Sequence, residues 1–76
     1  MNVPKVYPIR KLLQKAKQHG IEWFEGGKHG KFKGPDSSGR IQAYPLPSAQ
    51  RKKEVSDIYL KGFLRRFRLD ETFFDD

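Results

Sequence analysis

Cysteine is absent from this 76-residue chain, and methionine and tryptophan occur once each. Without cysteine there is no disulfide staple, no thiolate nucleophile and no cysteine-ligated zinc. Two histidines cannot by themselves fill a zinc site. No glycine-rich phosphate loop of the nucleotide-binding kind is present. Apolar runs are only a few residues long, so nothing in the sequence reads as a membrane span. Met1–Pro8 carries no apolar signal core, which points to the cytoplasm. Acidic residues are scarce as well, with 9 Asp and Glu against 16 Lys and Arg, for a formal charge of +7.

What remains is a single small domain, 1–76, near the lower limit for independent folding. Hydrophobic residues are only 36% of the chain, but aromatics at 13% raise the burial available per residue. A short N-terminal arm (1–7) precedes the domain body and an acidic tail (70–76) follows it. Residues 1–69 hold all 16 basic residues and five acids, a net of +11, whereas Asp70–Asp76 holds four acids and no base. A basic body of this size favours a polyanionic partner. The tail reads as a solubilising end; a second reading lays it across the basic body as a block.

Ile9, Leu12, Leu13 and Ala16 recur at helical spacing and predict a helix over about 8–19, with Pro8 in its first turn and Gly20 closing it. Ile21–Glu25 alternates and is rich in aromatic and β-branched residues, as a strand is. Gly26-Gly27 is a turn, Lys28–Lys33 a second strand, and Gly34–Gly39 a hairpin loop. Arg40–Leu46 is the third strand, with Pro45 near its end or on an edge. Pro47–Lys53 is a basic connector. A second helix starts near Ser56, and Leu60, Phe63, Leu64 and Phe67 form its apolar stripe. Gly62 inside it marks either a close approach to the sheet or a break. Asp70 suits the cap of a short last turn carrying Phe73 and Phe74. The predicted fold is α+β with order α-β-β-β-α: a three-stranded antiparallel sheet with two helices on one face.

Such a sheet has one face open to water. With Phe32 pointing at the helices, Lys31, Lys33 and His29 point away. On the third strand, Ile41 and Ala43 are expected inward, with Arg40, Gln42 and Tyr44 outward. On the first, Ile21 and Trp23 inward leave Glu22 and Phe24 outward. Cations that hold phosphates beside a ring that stacks bases suit single-stranded RNA. Lys31, Lys33 and Arg40 are the expected phosphate contacts, and Tyr44 the stacking ring. His29 follows a Gly-Gly-Lys turn. A near-neutral imidazole there can accept the proton of a ribose 2′-OH or donate one to a leaving oxygen, with Lys28 or Lys31 stabilising charge on the phosphate. This chemistry calls for no metal and no cofactor. From spacing alone, a lone histidine among lysines is more often a surface residue. His19, at the end of the first helix, is explained by capping or the helix dipole.

The run Gly26-Gly27-Lys28-His29-Gly30-Lys31-Phe32, the Pro35–Gly39 turn, Ile41–Pro47 and the Arg-rich last helix resemble the HicA family of toxins over about Arg10–Leu69. Lys28 stands where that family usually has Ser or Thr, and Pro45-Leu46-Pro47 where it often has a Pro, a basic residue and a second His. The resemblance implies a double-stranded-RNA-binding-domain-like fold and an mRNA interferase, that is, an endoribonuclease. It also implies a HicB-like antitoxin as protein partner and His29, on the family's Gly-x-His pattern, as catalytic residue. Lys28, Lys31 and Lys33 would position phosphates. Two other readings stand beside it. One is a non-catalytic RNA-binding module, in which Arg51, Lys52 and Lys53 resemble the basic cluster that such domains set against duplex phosphates. The other is a degenerate toxin that only binds its partner protein.

Overall fold

A computed structural model describes residues 3–26, 30–47 and 53–75. The expected first helix is α1 (Ile9–Gln18), with Leu12 and Ala16 buried and Lys15 and Lys17 in its last turn. Pro8 sits one position before the first turn, as the cap. Gly20 adopts φ +78° and ends the helix, and the Ile21 N–H reaches back to the Ala16 carbonyl at 2.9 Å. That bond satisfies one of the carbonyls a helix end leaves free.

Three strands follow as an antiparallel meander: β2 (Glu22–Phe24), β3 (Gly30–Pro35) and β4 (Ile41–Leu46), in the order β2-β3-β4. The β3–β4 turn is organised by Asp36. Its Oδ1 accepts from the Ser38 N–H, the Ser38 hydroxyl and the Arg40 N–H, and its Oδ2 from the Gln42 amide. The last helix is α2 (Asp57–Phe67), preceded by Ser56 and unbroken at Gly62. It buries Leu60, Phe63, Leu64 and Phe67. The predicted α-β-β-β-α order is the one observed.

Two further strands frame the helices. β1 (Val6–Pro8) pairs antiparallel with β5 (Glu54–Ser56) as a separate two-stranded ribbon. Neither strand was expected from the sequence: β1 falls largely in the N-terminal arm, and β5 directly follows the basic connector. The ladder is extended at both ends by the Ile9 N–H on the Lys53 carbonyl (3.0 Å) and the Asp57 N–H on the Lys5 carbonyl (2.8 Å). Both helix starts are thereby tied to one ribbon, with Tyr7 and Val55 buried beneath it.

Phe63 centres the core. Its ring lies 5.0 Å from Phe32, 4.9 Å from Phe67 and 5.3 Å from Phe73. Burying each such ring contributes roughly 1.5–3 kcal/mol, and tilted or edge-on pairs add to it. Tyr44 belongs to the same cluster, 6.2 Å from Phe63, and its hydroxyl donates to the Tyr59 carbonyl at 3.0 Å. The expected parity of the third strand is therefore reversed. Phe32 pairs directly with Tyr44, and Gly30 with Leu46. Directly opposed residues share a face, so Gln42, Tyr44 and Leu46 face the helices and Ile41, Ala43 and Pro45 face away. Gly62 explains how a Tyr fits there: a Cβ at that position would lie 2.3 Å from the Tyr44 hydroxyl oxygen.

The C-terminal segment is part of this core. Asp70 caps a 3-10 turn (Glu71–Phe74), accepting from the Thr72 N–H, and Phe73 is buried. The Lys15 ammonium donates to the Phe73 carbonyl at 3.1 Å and to that of Asp75. The acidic end is thus docked on α1, on the helix side of the molecule, and not across the open face of the sheet. No helix among the described residues is long and apolar enough to cross a membrane.

Candidate nucleic-acid interface

The pleat and the register together fix what the outer face of β2-β3-β4 presents. Trp23 packs on Phe32 at 4.9 Å and points inward, so Glu22 and Phe24 point outward. Phe32 is fully buried, so its neighbours Lys31 and Lys33 are exposed on the opposite side. One cross-strand row reads Phe24, Lys31, Pro45, and the next Glu22, Lys33, Ala43. Beyond them Pro35 pairs with Ile41, which is 63% exposed. The two ammonium-bearing residues stand roughly 7 Å apart along β3, two residues of strand rise. Glu22, directly opposite Lys33, offsets part of one charge.

Among the described residues the face therefore offers two cations, one acid and one flat ring that is 45% exposed, Phe24. Tyr44 and Gln42, expected on this face, are on the other side. Tyr44 is the clear correction. An outward Tyr at that position would break the Phe32 pairing and leave a hollow at Gly62, whereas the inward ring fills the hollow and satisfies its hydroxyl. Burial raises the Tyr44 phenol above its ordinary range and the Tyr59 hydroxyl reinforces that, while the Arg66 and Arg65 charges pull it down.

The other candidate residues are distributed. Arg40 is exposed just after the β3–β4 turn, its N–H held by Asp36 at 3.0 Å. Four hydrogen bonds from side chains and backbone, that of the Ser38 side chain foremost, outweigh the cost of burial and push the Asp36 carboxyl down to about 2. Lys53 is exposed beside the ribbon, in a hollow with Pro8, Ile9 and Arg10, rather than on the three-stranded sheet. His29, Lys28, Arg51 and Lys52 lie outside the described residues. Gly30, the residue after His29 in sequence, is buried and paired with Leu46. His19 is exposed at the end of α1, its ring 5.1 Å from Phe73 and its N–H on the Ala16 carbonyl.

Sequence reasoning left one basic surface without a role. Arg65, Arg66 and Arg68 line a cleft with Gln42, Tyr44 and Gly62, on the helix side of β4. The signal was available in the spacing: Gly62, Arg65 and Arg66 stand at i, i+3 and i+4 and share one helix face. Compared with family models, with curated protein sequences and with the solved structures, the chain matches none.

Proposed function

We propose that this protein is a HicA-like toxin of a toxin–antitoxin pair, an endoribonuclease that cleaves mRNA in the cytoplasm across the outer face of β2-β3-β4. The observation that supports this reading is the helix, three-strand meander, helix order together with exposed Lys31 and Lys33 on the face opposite the helices. His29 acts as general acid or base. The ribose 2′-oxygen loses its proton and attacks the adjacent phosphorus, and the 5′-oxygen of the next nucleotide leaves with a proton. The products are a 2′,3′-cyclic phosphate and a 5′-hydroxyl. Lys28, Lys31 and Lys33 hold the phosphates, and Phe24 takes the stacking part first assigned to Tyr44. A HicB-like antitoxin inhibits by covering this face, its acidic residues meeting the lysines.

The test is expression of the wild type and His29→Ala at matched levels, following growth and transcript ends. The wild type is expected to arrest growth and to leave cyclic phosphate ends. The variant is expected to lose about 10²–10⁴-fold of the cleavage rate while keeping its fold. Equal cleavage by both removes His29 from the mechanism. Binding of RNA without cleavage by either replaces the enzyme with an RNA-binding module.

A further inference from the structure

Between β4 and the C-terminal half of α2 lies a cleft of about 390 Å³. Its walls are Gln42 and Tyr44 on the sheet side and Gly62, Arg65, Arg66 and Arg68 on the helix side. Arg68 has φ 54° and ψ 43°, the left-handed cap of α2, and the turn it makes adds a third guanidinium to the two on the helix face. Among the described residues no carboxylate lines the cleft. Asp36, which holds the Gln42 amide at 3.1 Å, has its other oxygen committed to Ser38 and Arg40. The floor is rigid. The Tyr44 ring is held by its hydroxyl on the Tyr59 carbonyl, and Gly62 has no room for a side chain.

Arg65 and Arg66 also complement the negative end of the α2 dipole, which any last turn invites. The dipole calls neither for a third arginine at the cap nor for a concavity that gathers all three. A lone carboxylate ligand would leave two guanidiniums unpaired. A polymer with one charge per nucleotide pairs each of them, and the planar fork of arginine suits phosphate oxygens.

We propose that this cleft binds the backbone phosphates of an RNA strand, at a place separate from the outer sheet face. The identity of the ligand rests on the function proposed above. Among the described residues β4 is an edge strand, so RNA leaving the outer face past Ala43 and Pro45 rounds one strand edge to reach the arginines.

The experiment titrates a twelve-nucleotide uridine RNA into ¹⁵N-labelled protein and measures affinity against KCl concentration. The wild type is compared with the Arg65→Gln, Arg66→Gln, Arg68→Gln triple variant, whose positions are all exposed. The amides of Gly62, Arg65 and Arg66 are expected to shift. The triple variant should bind at least tenfold more weakly at 0.1 M salt, and its log–log salt slope should fall by about 2, at roughly 0.7 per phosphate contact on single strands. The corresponding triple Lys variant should keep the slope. Shifts confined to residues 31–33 with an unchanged slope overturn the cleft and leave the outer-face reading standing. Shifts confined to residues 62–68 support the cleft and overturn the outer-face reading. Binding of a twelve-residue polyglutamate peptide in the cleft, with no shift there from RNA, overturns RNA as its ligand in favour of an acidic protein.

Discussion

Among the described residues, Gly30, Gly34 and Gly62 are positions where the absence of a side chain decides the packing; at Gly30 a Cβ would lie 2.0 Å from the Trp23 ring. A Cβ at Gly34 would lie 2.6 Å from both the Gly20 carbonyl oxygen and the Ile21 Cα, and neither backbone atom can rotate away. Gly34→Ala is expected to lower stability by about 3 kcal/mol in urea or thermal unfolding. At Gly62 the obstacle is the Tyr44 hydroxyl, which a side-chain substitution can remove. Gly62→Ala gains about 1 kcal/mol of helix propensity, yet should lose about 1 kcal/mol net through the collision. In a Tyr44→Phe background that loss should shrink or reverse, and a double-mutant cycle reads the coupling directly. The hollow at Gly62 was written in the sequence as a glycine within an apolar stripe. Its occupant was not, because Ile41 looks more like a core residue than Tyr44 does. Two-residue parity cannot choose between them without knowing which one faces Phe32. Asp36 makes the pH prediction. Its native pKa of about 2 lies below the ordinary 3.8. Its stabilisation is present in full above about pH 4 and is lost as pH falls from there through about 2, where the unfolded chain takes up the proton first. Asp36→Asn should be less stable at neutral pH and should show a flatter stability profile across that acid window.

Among the elements, α1, α2, β3 and β4 were legible because each is long enough to show a period, and β2, though only three residues long, because its adjacent aromatics lie between glycine turn signals at Gly20 and Gly26. β1 and β5 were not. Each has three residues, and each buries one side chain, Tyr7 and Val55. A single buried position displays no alternation, and the pairing that defines the ribbon joins residues some fifty apart in sequence. The acidic tail shows the opposite difficulty, since its charge masks a packing residue. Phe73 is buried against Phe63 and Phe74 and contacts the His19 ring. Phe73→Ala is expected to cost about 3 kcal/mol by urea unfolding. A tail that only solubilised the protein would leave the midpoint where it was.

On the scale of the whole molecule, charge and layer order decide what surfaces face outward. The excess of cations was plain in composition, but their division was not. Lys31 and Lys33 face away from the helices, while Arg65, Arg66 and Arg68 open on the other side of β4. That division depends on which face β4 turns inward, so it could not be read before the register was known. Lys31→Gln with Lys33→Gln is expected to weaken single-stranded RNA binding and lower the salt slope by about 1.4, measured by fluorescence anisotropy. The ribbon has a consequence for synthesis. Val6–Pro8 leaves the ribosome before its partner Glu54–Ser56, and Phe73 arrives later still. A nascent chain halted before residue 54 lacks the mate of its first strand and the whole of α2. The packed shape therefore forms only once residues 54–73 have emerged.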